Sequence, residues 1–167
     1  MISWEIPVKR FALTTAILAA TAAFCVLPAS AMDEATKAAA ADCQKPDLAP
    51  EKGIAACTTI LAVKMPPKST TAMHYYRGAF YVNAKNNAKA KTDFDAAIAS
   101  YESDPAKADW PPDFVGLVAS SYSFRAQIEA EAQDCSAAKA DYGKAAATER
   151  EVSQRETYEK AQRTACQ

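Results

Sequence analysis

The pattern of apolar and polar positions after residue 31 is helical throughout. Apolar side chains, many of them alanine, recur at intervals of three and four residues, the spacing that places them on one face of an α-helix. Proline-containing stretches interrupt this pattern at 45–47, 65–67 and 110–112, and each is expected to separate two helices. Abundant alanine and scarce glycine also favour helix. We therefore expect an all-α protein of about seven helices.

The segment 71–104 predicts two antiparallel helices joined by a tight turn. In its second half small residues share one face with Phe94, and in its first half Gly78 allows a neighbouring backbone to come close. We expect Asn86 and Asn87 to form the turn, because asparagine tolerates the left-handed conformation that closes a helix.

A later stretch repeats the pattern of this segment, since Tyr142 stands 48 positions after Phe94 and each follows an aspartate. Self-similarity at a fixed offset is typical of repeat proteins, in which each helical pair covers the apolar face of the next. The matched positions of the second copy are Tyr122, Ala126, Ala138, Tyr142 and Ala145, opposite His74, Gly78, Ala90, Phe94 and Ala97.

The segment 71–104 resembles a tetratricopeptide repeat (TPR), a helical hairpin of about 34 residues with small and aromatic residues at fixed offsets. His74 stands where that family has its leading Trp. The resemblance implies a short TPR-like solenoid of helical hairpins. The residues at the family's offsets are Gly78, Tyr81, Ala90, Phe94 and Ala97.

Extending the offsets in both directions divides the chain into units. Cys57 falls at the position of Phe94, so the first helical pair is a degenerate unit. The tail is expected to be a capping helix, because the last unit of an array needs a cover for its apolar face. The predicted order is a degenerate unit 33–64, the best-preserved unit 71–104, an insertion 105–118, a second unit 119–148 and a capping helix 149–167.

The TPR resemblance also implies a binding surface, since in that family the first helix of every unit lines a concave groove. The implied lining is mostly uncharged, so we expect recognition of a peptide or helix by packing and amide hydrogen bonds. It lacks the Lys and Arg that clamp an acidic C-terminus. The implied lining residues are Tyr75, Ala79, Asn83, Ser123, Gln127 and Thr157.

Residues 1–31 have the features of a secretory signal peptide. Lys9 and Arg10 precede an apolar run that ends in small residues suited to cleavage after Ala31. We expect the mature protein in the bacterial periplasm. A retained membrane anchor is the alternative, because the apolar run lies at the short edge of what spans a bilayer.

Removal of the leader would discard Cys25 and leave an even number of cysteines. In an oxidising compartment this indicates two disulfides, for which three connectivities are open. The chain has one histidine and no C-x-x-C spacing, so a tetrahedral zinc site is not expected. The helical units described above favour pairing Cys43 with Cys57 and Cys135 with Cys166.

Charge and motif content favour no catalytic class. The formal net charge is -1 with both signs spread along the chain, which gives no basic surface for nucleic acid. A hydrolase would need His74 as its base, with Ser69 or Asp95 as partner, but no nucleophile motif surrounds it. Asp93 and Asp95 face different directions on a helix, and we expect both on solvated faces.

Trp110 lies in the predicted insertion and precedes two prolines. One interpretation is a hydrophobic plug that folds over the preceding unit while a proline opens the next helix. The other is an exposed loop anchor for a partner, because tryptophan is enriched where binding energy concentrates. We favour the plug.

These features predict a noncatalytic periplasmic adaptor that holds a protein or peptide segment in a TPR-like groove. No cofactor, metal or nucleic acid is expected, and no membrane insertion after leader removal. A self-associating structural subunit of an envelope complex is the first alternative, and a hydrolase using His74 is the second.

Overall fold

The structure is a computed structural model that describes residues 33–167, so the predicted signal peptide lies outside the described residues. Within this range all regular structure is helical, which confirms the expected class and number of helices. A 3-10 turn at Lys107–Asp109 separates the fourth and fifth helices. The helices are α1 Glu34–Cys43, α2 Pro50–Leu61, α3 Pro67–Asn83, α4 Asn87–Glu102, α5 Pro112–Glu131, α6 Cys135–Thr148 and α7 Val152–Thr164.

Six of the helices start at residue types that suit a helix N-terminus. A proline at the first position loses no intrahelical hydrogen bond, and a capping oxygen accepts a backbone N–H that would otherwise be unpaired. The helices that begin with proline are α2 at Pro50, α3 at Pro67 and α5 at Pro112. The helices that have a side-chain cap are α1 at Asp33, α4 at Asn86 and α6 at Asp134.

The turn between α3 and α4 differs from the prediction, because Lys85 and not an asparagine has the left-handed backbone, with φ of 57°. The Asn86 N–H donates to the Tyr81 carbonyl at 2.8 Å, which satisfies one of the last carbonyls of α3. The side chain of Asn86 accepts the Lys89 N–H and caps α4. Asn86 therefore closes one helix with its backbone and opens the next with its side chain.

The turn between α5 and α6 has the same construction 48 residues later. Gln133 has φ of 62°, and the Asp134 N–H donates to the Glu129 carbonyl at 2.8 Å. The Asp134 side chain then caps α6 by accepting the Ala137 N–H. The internal repeat seen in the sequence is thus present in the backbone of the two hairpins.

Consecutive helices pack side by side, and the most extensive contacts are between α3 and α4 and between α5 and α6. Because the connections are short, neighbouring helices run antiparallel. Helix α3 also contacts α1 and α5, which places these odd-numbered helices in one layer. The cavities described below open on that layer.

Two glycines allow large rings to enter the helix interfaces. A Cβ on Gly78 would lie 2.7 Å from the Phe94 ring, so the space at Gly78 is occupied by a ring and not by the neighbouring backbone that was expected there. A Cβ on Gly53 would lie 2.3 Å from the Phe80 ring, so α2 and α3 meet in the same way. The second contact joins two units and was not expected from the sequence.

The two cysteine pairs are those that the helical units favoured. Cys43 and Cys57 are disulfide-bonded with Cα atoms 4.7 Å apart and link α1 to α2. Cys135 and Cys166 are bonded with Cα atoms 5.7 Å apart and link the start of α6 to the end of the chain. The second bond holds the predicted capping segment to the last hairpin.

Two predicted boundaries differ from the structure. Helix α2 ends at Leu61 and not near Lys64, because its last carbonyls accept backbone hydrogen bonds from a turn that precedes the prolines. Helix α5 begins at Pro112, so residues 112–118 of the predicted insertion are helical. The connection is confined to 103–111, and the longer α5 carries the extra residues.

Candidate functional site

A cavity of about 280 Å³ opens between α3, α5 and α7. Its lining is mostly polar and contains no side chain that is charged at neutral pH. The hydroxyls of Ser120 and Tyr158 lie 3.4 Å apart within it. The lining residues are Tyr75 from α3; Ser120, Ser123, Phe124 and Gln127 from α5; and Gln154 and Tyr158 from α7.

Tyr75 separates this polar cavity from a smaller and mainly apolar one of about 120 Å³. Its ring meets Tyr76 edge-on at 5.3 Å and lies 6.2 Å from Phe124. Burial, reinforced by the neighbouring Tyr76 phenol, raises the pKa of Tyr75, so its hydroxyl is neutral and can both donate and accept hydrogen bonds. The smaller cavity is lined by Tyr75, Tyr76, Ala79, Phe80 and Asn83, with Cys43 from the end of α1 and Pro46 from the α1–α2 turn.

The groove residues implied by the TPR resemblance fall around these two cavities, with one exception. Ser123 and Gln127 line the larger cavity, and Ala79 and Asn83 line the smaller one. Thr157 lines neither, because it is exposed and its hydroxyl donates to a backbone carbonyl of its own helix.

The two cavities adjoin at Tyr75 and together form a candidate groove whose lining is uncharged. Side-chain amides and hydroxyls provide paired donors and acceptors, which match the N–H and C=O groups of a peptide. The volume of the larger cavity lies just under the usual size range of small-molecule sites. No described residue of the lining is a conventional acid, base or activated nucleophile.

A buried ion pair lies beside this groove, between α3 and α4. The Arg77 guanidinium donates to both oxygens of Asp93, from Nε at 2.8 Å and from Nη2 at 2.7 Å. Burial alone would raise the pKa of Asp93, but the hydrogen bonds from Arg77 and His74 outweigh it and lower that pKa. Asp93 is 2% exposed, so the expectation that it lies on a solvated face is wrong.

His74 belongs to the same cluster and has no catalytic partner in it. Its Nδ1 lies 2.8 Å from Asp93 Oδ1, so its partner is neither Ser69 nor Asp95. Asp95 instead accepts from Arg125 at 2.6 Å. A nucleophile would have to stand next to the imidazole for a hydrolase of this type, and the described hydrogen bonds of His74 reach only a carboxylate that Arg77 already holds.

The next hairpin contains the equivalent ion pair. Arg125 binds Asp141 through Nε and, at 2.8 Å, through Nη2. Burial alone would lower the pKa of Arg125, but the carboxylates of Asp141 and Asp95 raise it. Arg125 and Asp141 each stand 48 positions after their counterparts, Arg77 and Asp93. The ion pair is therefore a structural feature of the repeat.

Trp110 is buried in the core and is not an exposed anchor. It is 1% exposed, and its Nε1 donates to Asp104 at 2.9 Å. Its ring meets Tyr101 edge-on at 5.0 Å, and its carbonyl accepts from Arg150 at 3.0 Å. The favoured interpretation of a plug over the preceding unit agrees with this position.

The chain matches no protein-family model, no curated protein and no solved structure. Among residues 33–167, no cluster of three or more His, Cys, Asp or Glu side chains could hold a metal ion. In the same range, none of the helices combines the length and apolar character needed to cross a membrane.

The sequence did not predict which residues of α7 line the groove. Gln154 and Tyr158 line the larger cavity, one turn apart on the inner face of the helix. Tyr158 is buried beside Val118 and Ala145. Because a capping helix has no second copy to align with, its rotation follows from this packing. Tyr158, the single aromatic residue within the polar stretch 152–164, was the available signal.

Proposed function

We propose that this protein is a noncatalytic scaffold of TPR-like architecture that holds an uncharged segment of a partner protein in the groove around Tyr75. The observation that carries the proposal is the polar, charge-free cavity between α3, α5 and α7. Its walls come from three separate helices. A peptide lying across the cavity would touch residues of each of them.

The neutral lining favours a particular kind of partner segment. Gln127 and Gln154 present carboxamides from α5 and α7, and a carboxamide can pair with the N–H and C=O of a peptide unit. A charged segment would lose its hydration there without gaining an opposite charge. The adjoining apolar cavity beside Tyr76 and Phe80 suits an apolar side chain of the same segment.

The repeated hairpins support the TPR-like part of the proposal. Turn geometry, helix caps and the buried Arg–Asp pair all recur at 48 residues, and rings enter over Gly53 and Gly78. Such arrays act through an extended surface and need no reactive group. The repeat of 48 residues is longer than a TPR because α5 and the connection that contains Trp110 are long.

A periplasmic location after cleavage at Ala31 belongs to the same proposal. The two disulfides support an oxidising compartment, since such bonds are rare in the cytosol. A self-associating subunit is less well supported, because the outer face of α7 is charged and Val152 is its one exposed large apolar residue. Light scattering over a range of concentrations separates the two, since self-association would raise the measured mass.

The proposal is tested by affinity capture from periplasmic extract of the source cells. The bait is the mature chain, and the variant is Tyr75→Phe combined with Gln127→Ala, which removes two polar groups of the cavity and keeps the Tyr75 ring packing. The matched control is Tyr81→Phe with Ser136→Ala, at positions outside both cavities. We expect a captured partner to be lost with the variant and kept with the control; equal capture by all three would refute the groove.

A further inference from the structure

The two disulfides differ in what surrounds them. Cys43 and Cys57 have no exposed surface and lie in an apolar cluster with Ile60, Met73 and Phe80. Cys166 is exposed and Cys135 is partly exposed. A thiolate in solution can therefore reach the second bond in the folded protein, whereas the first bond requires the core to open.

The position of Cys135 makes it the better leaving group of its pair. It is the first residue of α6, where the unpaired N–H groups of a helix N-terminus stabilise a thiolate. The Asp134 carboxylate that caps the same helix offsets part of this effect. Attack on the exposed Cys166 sulfur, with Cys135 leaving, is the route that both exposure and helix position favour.

This bond holds in place a helix that has few buried side chains. Helix α7 is 13 residues long and strongly polar, and Tyr158 is its one buried residue. A helix of this length is marginal by itself, so its order depends on packing. Its C-terminal end has Ala165 against Ala126 and Tyr142, and then Cys166 with a left-handed φ of 61°. A non-glycine residue seldom adopts that conformation unless it is held there.

The same helix forms one wall of the polar cavity through Gln154 and Tyr158. The Arg150 guanidinium fixes the start of α7 by donating to the Trp110 and Ala108 carbonyls. The disulfide fixes its end. Cleavage of the bond therefore leaves the end of the helix held only by the packing of Tyr158 and Ala165.

We propose that Cys135–Cys166 is a thiol–disulfide exchange site for an external dithiol, and that its reduction loosens α7. One thiolate of the dithiol attacks Cys166 Sγ, the Sγ–Sγ bond breaks, and Cys135 leaves as a thiolate that takes up a proton. The second thiol of the reagent then displaces Cys166. The dithiol becomes a disulfide, and the protein gains two electrons and two protons. The effect on partner binding, through the α7 wall, rests on the proposed function.

The test is a titration of the mature protein with dithiothreitol, with alkylation and peptide mass spectrometry at each step. We expect Cys135 and Cys166 to be alkylated about tenfold faster than Cys43 and Cys57, because exchange follows access of the thiolate to the sulfur. Under partial reduction, amide hydrogen exchange in 152–164 should rise about tenfold while that in α3 stays unchanged. Simultaneous alkylation of both pairs would overturn the site.

The double variant Cys135→Ser, Cys166→Ser provides a second test, of the role of the disulfide. Without any dithiol it should show the fast α7 exchange of the reduced protein and retain the helical circular dichroism signal. Slow α7 exchange in this variant, or in the selectively reduced protein, would overturn the role of the bond. None of these readouts needs a partner, so they are independent of whether the groove binds one.

Discussion

Arg77 and Asp93 form a buried, two-pronged ion pair that joins the two helices of one hairpin, with N–O distances of 2.8 and 2.7 Å. Arg125 and Asp141 form the same pair in the next hairpin. Each arginine also reaches back to the preceding helical pair, Arg77 to Thr58 at 3.2 Å and Arg125 to Asp95 at 2.6 Å. The arginines therefore connect each hairpin both internally and to its neighbour.

Removing the Asp93 charge should destabilise the protein strongly. Asp93→Asn leaves the Arg77 guanidinium half-buried without its carboxylate, and breaking such a pair costs about 3 kcal/mol. Urea unfolding of the variant checks this. The control is Asp47→Asn, an exposed residue, which should change the free energy of unfolding by less than about 0.5 kcal/mol. Equal effects of the two substitutions would contradict the structural role of the pair.

The lowered pKa of Asp93 gives this contribution a defined pH dependence. Because the folded-state pKa is below the ordinary value of 3.8, the ionised carboxylate stabilises the folded state fully above that value. The contribution is lost as the pH falls through the lower, folded-state pKa. The difference in unfolding free energy between wild type and Asp93→Asn should therefore shrink as the pH falls below about 4. A difference that grows as the pH falls below about 4 would have the wrong sign.

Two glycine-to-alanine substitutions should have opposite effects. Gly53→Ala would place a methyl group 2.3 Å from the Phe80 ring, and such overpacking costs about 1–3 kcal/mol. Gly116→Ala faces open space, its nearest neighbour a Glu149 oxygen at 3.9 Å, and should stabilise α5 by up to about 1 kcal/mol. Thermal unfolding of both variants is the measurement. A stabilised Gly53→Ala variant would show that Phe80 does not occupy this interface.

Substitution of Trp110 should act on stability and not on binding. Trp110→Ala removes a buried ring that contacts Tyr101 and Phe114, at a cost of about 3 kcal/mol or more. Chemical unfolding measures the loss. Trp110→Phe, which retains much of the packing, should lose less and still capture the same partner. A stable Trp110→Phe variant that captures nothing would instead support the loop anchor.

The helical class and the repeated hairpins could be predicted because both follow from local periodicity. The spacing of Ala90, Phe94 and Ala97 sets one helix face, and the same offsets recur around Tyr142. The role of Lys85 could not be read in this way, since its left-handed φ is imposed by closing α3 against a capped α4. The start of α5 at Pro112 agrees with the plug interpretation, in which a proline opens the next helix. The insertion 105–118 was drawn too long, because the whole difference in repeat length was assigned to it.

The candidate groove could be predicted only where a repeat fixes the register. Tyr75 and Gln127 lie on helices with aligned copies, and both line the polar cavity. Thr157 lies on α7, whose rotation is set by the burial of Tyr158 and by no repeated offset. The burial of Asp93 was missed for a related reason, because its partner Arg77 lies on another helix.

The binding affinity of the groove for a captured partner segment tests the central claim most directly. Isothermal titration should give at least a tenfold weaker Kd for Tyr75→Phe with Gln127→Ala than for wild type, which corresponds to about 1.4 kcal/mol. Because the lining is uncharged, the wild-type Kd should change by less than about twofold between low and high salt. Equal affinity of the variant and wild type, or strong weakening of wild-type binding by salt, would contradict a neutral groove around Tyr75.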